Sequence, residues 1–214
     1  MIRRPLHTLA CLVVLAAGCA APEPRNLSLA KQEVDRYAES GRYQTDLASV
    51  GTKAAAWIAH RSAAGGKLAI VLDIDETSLS NLRHMREQDW GYHQQRWSEW
   101  VAEADAPAIE PVRTVYQTAR AHGVTVFFLT GRRESERAAT ARNLRRMGFD
   151  GWQGLIVKAD ASKENAASFK LAARQRIAAQ GYTIIANLGD QDSDFTGGLS
   201  ERDFKLPNPF YRID

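Results

Sequence analysis

Cysteine is nearly missing from this chain: there are two in 214 residues, Cys11 and Cys19. Both fall in the first nineteen positions, so a disulfide scaffold is excluded for everything that follows. The fold must be held by its core. A hydrophobic content of 44 % in a chain of this length suffices for one sizeable core. A strong charge of either sign is also absent, the net charge being +3. Basic residues are scattered, with short runs at Arg132-Arg133 and Arg145-Arg146. Solvated helix faces account for such runs, so no nucleic-acid polymer is expected as a partner. The histidines (His7, His60, His84, His93 and His122) show no metal-ligand spacing. Internal repeats and low-complexity segments are lacking too.

Long apolar runs are scarce, and the one near the start is short. Leu6 to Ala17 follows Arg3-Arg4 and ends at Leu15-Ala16-Ala17-Gly18-Cys19. It is too short to span a membrane as a stable helix. The segment resembles a bacterial lipoprotein signal peptide, although Ala16 stands where such signals most often carry Leu. The resemblance implies removal of residues 1–18, lipidation of Cys19 and attachment to a membrane of the bacterial cell envelope. Several acyl chains on Cys19 would anchor the protein more firmly than one. The alternative is a plain secretory peptide cleaved near Ala21, which leaves a soluble periplasmic protein. Residues 19–28, with Pro22 and Pro24, read as a tether, and 29–214 as one domain.

What is present in that domain is an alternation. Leu29 to Arg61 carries apolar residues at helical spacing, with Ser40-Gly41 as a break. Leu68 to Leu72 is an unbroken apolar run after a turn, the pattern of a strand buried on both faces of a parallel sheet. Val124 to Leu129, Leu155 to Val157 and Tyr182 to Leu188 repeat it. Between them Pro111–His122, Ser135–Met147 and Lys163–Gln180 read as helices, each closed by a glycine. Strand and helix in alternation predict a doubly wound α/β fold. Three of the strands run into Asp73, Thr130 and Asp190. Ligands of open parallel sheets bind outside the carboxyl ends of the strands, so these three residues are expected to converge.

The residue types at those ends suit phosphoryl transfer. Of two carboxylates two residues apart, Asp73 and Asp75, one can attack phosphorus and the other can protonate the leaving oxygen. Neighbouring acids need a cation to coexist as anions. Asp190 and Asp194, in Gly189-Asp190-Gln191-Asp192-Ser193-Asp194, add the hard oxygen ligands that suit Mg²⁺. Thr130 and the amides after it can hydrogen-bond phosphate oxygens, and a lysine (Lys158, Lys163 or Lys170) can offset negative charge.

These residues resemble the haloacid dehalogenase superfamily. Asp73-Ile74-Asp75-Glu76-Thr77 is similar to its first motif, Leu129-Thr130-Gly131-Arg132 to its second and Gly189-Asp190…Asp194 to its acidic fourth. The flanks, Ser78-Leu79-Ser80-Asn81, Thr140…Asn143-Leu144…Met147-Gly148-Phe149 and Asn187-Leu188-Gly189-Asp190-Gln191, resemble the subfamily IIIB acid phosphatases. That group includes bacterial lipoprotein acid phosphatases and plant vegetative storage proteins.

The resemblance implies a Rossmann-like sheet with a small helical cap insertion, and an acid phosphatase that hydrolyses small phosphomonoesters such as 5′-nucleotides or aryl phosphates. It implies Asp73 as nucleophile and metal ligand, Asp75 as acid/base that also reaches the metal, Thr130 on phosphate, and Asp190 and Asp194 on Mg²⁺. Lys170, in a Lys-x-x-x-Arg pattern with Arg174, is its motif lysine. Thr77, Gly131, Arg132 and Trp97 are expected to touch substrate, and Asp192 clouds the division of metal duty. Residues 81–106 hold Trp90, Tyr92, Trp97 and Trp100; most of these rings read as the core of the cap, with one or two facing substrate. A catalytically weak binding or storage protein on the same scaffold, or a phosphotransferase, is the alternative.

Overall fold

The computed structural model describes residues 23–213. The signal segment, Cys19 and the start of the tether lie outside the described residues. Among those described, no helix is long and apolar enough to cross a membrane.

Two helices come first, α1 (Leu27–Glu39) and α2 (Arg42–Ser62). Asn26 caps α1, its side chain accepting from Leu29 N at 3.2 Å. Gly41 separates the two helices at φ 80°, a left-handed conformation that glycine adopts without Cβ strain. Then β1 (Leu68–Leu72) leads into α3 (Leu82–Glu87) and α4 (Gln94–Glu103), two short helices that lie ahead of α5 (Glu110–Ala121). The rest alternates: β2 (Thr125–Arg133), α6 (Arg137–Arg146), β3 (Gly154–Lys158), α7 (Ala166–Ala179), β4 (Thr183–Gly189) and β5 (Asp203–Lys205).

The five strands form one sheet in the order β3-β2-β1-β4-β5, with every pairing parallel. The doubly wound parallel α/β sheet expected from the sequence is therefore the observed fold. Strand pleating sorts β1 between two cores. Leu68, Ile70 and Leu72 join the large cluster shared with α2 and α5. Ala69 and Val71 face the other way, onto Phe169, Ala173 and Ile177 of α7. Phe128 of β2 is fully buried in the large cluster beside Phe149, and cutting such a ring to alanine costs about 3–5 kcal/mol.

Strand order sets the location of the site. Chain progress from β1 through β2 to β3 runs one way across the sheet, while β4 and β5 lie on the other side of β1. The order reverses between β1 and β4, and the crevice at such a switch point is where α/β sheets bind ligands.

Local differences from the sequence expectation have physical causes. β2 runs on through Thr130–Arg133 instead of stopping at Leu129, because Arg133 resumes pairing with Lys158 after a register shift. The expected helix from Ser135 begins as a 3₁₀ turn, Glu134–Glu136, and becomes α-helical only at Arg137. The helix expected from Lys163 starts at Ala166, where Asn165 caps it by accepting from Ser168 N at 2.8 Å. β5 was not expected: three residues with one buried side chain, Phe204, give no periodic signal.

Candidate active site

Asp73 is the first residue past β1, and its amide donates to Leu188 O of β4 at 2.9 Å. This contact joins the two strand ends on either side of the switch point. The chain then folds tightly, with the amides of Thr77, Ser78 and Leu79 all donating to Ile74 O. Ser78 Oγ donates to Asp73 O at 2.6 Å. Glu76 sits at φ 53°, a conformation L-residues rarely hold. It is kept there by its own buried carboxylate, which accepts from Asn81 N (2.6 Å), Asn81 Nδ2 (3.0 Å) and Tyr211 Oη (2.7 Å).

Asp73, Asp190 and Asp194 come together. One oxygen of each lies within 4.8 Å of the others, and all three are buried. Lys170, from α7, donates to Asp73 Oδ1 at 2.6 Å and also to Asp194 Oδ1. Gly189 makes the cluster compact, since a Cβ there would meet Asp194 Oδ2 at 2.2 Å. The main chain of Asp194 is fixed from behind. Its carbonyl accepts from Asn187 Nδ2 at 2.9 Å and from buried Arg174, which also donates to Thr196 O and, at 3.1 Å, Gly198 O. Asp190 accepts from Thr77 Oγ1 (3.2 Å), Asn208 Nδ2 (2.7 Å) and Gln191.

The electrostatics follow from burial. With all three acids ionised, one ammonium leaves the cluster two charges negative. Burial pushes the Asp73 carboxyl well above the ordinary carboxylate range; Lys170 opposes this, while Asp194, Asp190 and Asp75 reinforce it. Burial, helped by Asp194, raises Asp190 to about 6. Burial also acts against the Lys170 charge, but Asp73 and Asp194 outweigh it, so the ammonium is held above its ordinary range. Three converging hard carboxylates short of positive charge fit a divalent cation.

Asp75 stands outside that triad. Its carboxylate accepts from Arg132 Nη2 at 2.7 Å, Arg132 Nε at 3.1 Å and Asn81 Nδ2 at 2.9 Å. The Asp75 side chain is 19 % exposed against 1 % for Arg132, so the carboxylate faces the crevice and the guanidinium is sealed beneath it. Asn81 Oδ1 in turn accepts from Trp100 Nε1 at 2.8 Å.

The other expected residues divide. Thr130 is buried at the site, and its Oγ1 accepts from Arg132 N at 3.1 Å, which leaves its hydrogen to donate. Gly131 is exposed, with no atom within 4 Å of where a Cβ would stand. Thr77 is fully buried and props Asp190 through its hydroxyl. Arg132 faces Asp75 and Thr140 Oγ1, at 3.1 Å, and Trp97 lies over its guanidinium at 5.5 Å. Asp192 is 72 % exposed and pairs with Lys205, apart from the cluster. Trp100 is buried and stacks on His84, Trp90 stacks on Phe210, and Tyr92 is 67 % exposed. Glu76, Asn187, Gln191, Asn208 and Tyr211 were not singled out by the sequence. Asn187, Gln191 and Glu76 sit inside the quoted motifs, but nothing in the pattern marks Asn208 or Tyr211.

Comparison with known proteins shows the family to which the chain belongs. A family model described as HAD superfamily, subfamily IIIB (acid phosphatase) matches residues 16–214. The chain is 36 % identical over 191 residues to acid phosphatase 1 of Solanum lycopersicum, covering 86 % of this chain and 69 % of that one. It is 35 % identical over 184 residues to the stem 28 kDa glycoprotein of Glycine max, covering 83 % and 72 %. The class C acid phosphatase from Bacillus anthracis shares its fold, with a TM-score of 0.72 at 23 % identity over 87 % of each chain. The protein belongs to the HAD subfamily IIIB acid phosphatases and is a phosphomonoesterase.

Proposed function

We propose that this chain is an exported, magnesium-dependent acid phosphatase that hydrolyses small phosphomonoesters through an aspartyl-phosphate on Asp73. The observation that carries the reading is the contact of buried Asp73 with Lys170 inside the carboxylate triad, beside an Asp75 that Arg132 holds at the crevice. Asp73 attacks phosphorus as Asp75 gives its proton to the leaving oxygen, and the P–O bond to the alcohol breaks. Asp75 then takes a proton from water, whose oxygen attacks phosphorus, and Asp73 is released with inorganic phosphate. Thr130 and the amide of Gly131 grip the phosphoryl oxygens, and Lys170 offsets their charge. Asp73, Asp190 and Asp194, with the Asp75 carbonyl, would hold Mg²⁺, which would supply positive charge to offset that of the phosphoryl group.

The open space at Gly131 supports room for the phosphoryl group. Exposed Tyr92 and half-buried Trp97 support an aryl or nucleoside leaving group, which stacks on aromatic rings. The presence of both Asp73 and Asp75 supports an enzyme over a binding or storage protein on the same scaffold. The same residues serve a phosphotransferase when an alcohol replaces water. The N-terminal segment supports export, with residues 1–18 removed and Cys19 lipidated at the cell envelope; mass spectrometry of the mature N-terminal peptide reads this directly.

Turnover of p-nitrophenyl phosphate, with and without EDTA, tests the function. Wild-type activity is expected to vanish on chelation and return with Mg²⁺, and Asp73→Asn to be inactive yet folded. Near-full turnover by Asp73→Asn contradicts the reading.

A further inference from the structure

The described residues that follow β5 do more than pack against the core. From Leu206 to Ile213 the backbone has neither helix nor strand, yet it is tied to both loops of the site. Leu206 N donates to Gly189 O at 2.8 Å, Asn208 Nδ2 to Asp190 Oδ2 at 2.7 Å, Tyr211 Oη to Glu76 Oε2 at 2.7 Å, and Ile213 N to Gln191 Oε1 at 3.0 Å. Phe210 is the apolar anchor, stacked on Trp90 at 5.4 Å and edge-on to Tyr43 at 5.1 Å.

Packing alone does not call for this pattern. Leu206 and Phe210 already bury the tail against the large core. The polar side chains instead point at two acids of the catalytic loops. Asn208 is built for one aim: its Oδ1 accepts from Phe210 N at 2.9 Å, closing an Asx turn, and this fixes the amide so that Nδ2 faces Asp190. Hydrogen bonds to a ligating carboxylate set its orientation and thereby the affinity for the ion.

We propose that Asn208 is a positioning residue for the metal site, acting through Asp190, and that the C-terminal tail is thus part of that site. This rests on the reading of Asp73, Asp190 and Asp194 as the ligands of a divalent cation. Asn208→Ser keeps a side-chain acceptor for the turn but is too short to reach Asp190. Tyr211→Phe keeps the ring and removes only the hydroxyl donated to Glu76, so it reports on general loosening of the tail.

Calorimetric titration of the purified, metal-free protein with MgCl₂ tests the proposal. Asn208→Ser is expected to bind Mg²⁺ about 10- to 100-fold more weakly than wild type, with a metal-free melting temperature no lower than that of Tyr211→Phe, which also loses one hydrogen bond to a buried carboxyl group. Tyr211→Phe is expected to stay within about twofold of wild type, since Glu76 is no ligand. Wild-type affinity in Asn208→Ser overturns the proposal, as does an equal loss in both variants, which would mark a merely structural tail. If Asn208→Ser does not fold, Asn208→Thr offers the same short acceptor and the same two outcomes. Absence of Mg²⁺ binding by the wild-type protein is a different result: it overturns the metal reading itself, and this proposal with it.

Discussion

Arg132 and Asp75 are 57 residues apart in sequence and joined by a fork, with guanidinium Nη2 and Nε donating to the carboxylate at 2.7 and 3.1 Å. The arginine is buried and the aspartate faces the crevice. A residue expected from its motif to touch substrate is thereby turned onto Asp75, the proposed acid/base. Its planar fork fixes the carboxylate in direction.

Loss of that fork is expected to lower kcat and leave KM nearly unchanged. General acid catalysis is worth about 10²–10⁴, and Arg132→Lys, which cannot fork, should lose about ten- to a hundredfold of it. The deficit should be larger for an alkyl phosphate, whose leaving oxygen needs a proton, than for p-nitrophenyl phosphate. Steady-state kinetics with the two substrates check this; a rise in KM alone would return Arg132 to the substrate.

Gly189 lies where a Cβ would meet Asp194 Oδ2 at 2.2 Å. Gly189→Ala is therefore expected to push the Asp194 carboxylate out of the triad. Activity should fall at least tenfold even at high Mg²⁺. Equal activity in the two proteins, measured at saturating substrate, contradicts the tight approach.

Asp192 and Asp194 are two residues apart but differ in surroundings, one exposed against Lys205 and the other buried in the triad. A cation bound only by the folded state adds stability, about 2.7 kcal/mol at a hundred times its Kd. Mg²⁺ is expected to raise the melting temperature of wild type and Asp192→Asn alike, and to do so weakly or not at all in Asp194→Asn. A shift kept in Asp194→Asn would remove that residue from the ligand set.

Burial raises the Glu76 carboxyl from 4.5 to about 8, with Asp75 adding to the effect against hydrogen bonds from Asn81 and Tyr211. Between those values the folded state holds a proton that the unfolded chain releases, so stability falls as pH rises through that window. Glu76→Gln removes that contribution alone and leaves those of Asp73 and Asp190 in place. Urea midpoints of the metal-free proteins at pH 5 and pH 8 should differ more for wild type than for the variant. Parallel profiles would mean that Glu76 is ionised throughout.

Much of this was legible in the sequence because it lies in short, local patterns. The apolar runs ending in Asp73 and Asp190 state both a buried strand and the polar group at its carboxyl end, and the sheet puts those ends side by side. Lys170 was singled out among three lysines by the family resemblance, through its Lys-x-x-x-Arg pattern with Arg174, and both prove buried on α7. Other features depend on which atoms meet across long separations. The turning of Arg132 onto Asp75, the use of Thr77 as a prop for Asp190 and the exclusion of Asp192 have no local signature. Neither has the tail, where Asn208 reaches Asp190 from a segment without periodicity.

The central claim is that Asp73 carries the phosphoryl group, and trapping that bond tests it most directly. Enzyme mixed with a phosphomonoester, quenched in acid and reduced with borohydride converts an aspartyl-phosphate to homoserine, which peptide mass spectrometry locates. Homoserine at position 73, dependent on substrate and lacking in Asp73→Asn, is the predicted result. Homoserine at another aspartate, or an Asp73→Asn enzyme that still turns over, would contradict it.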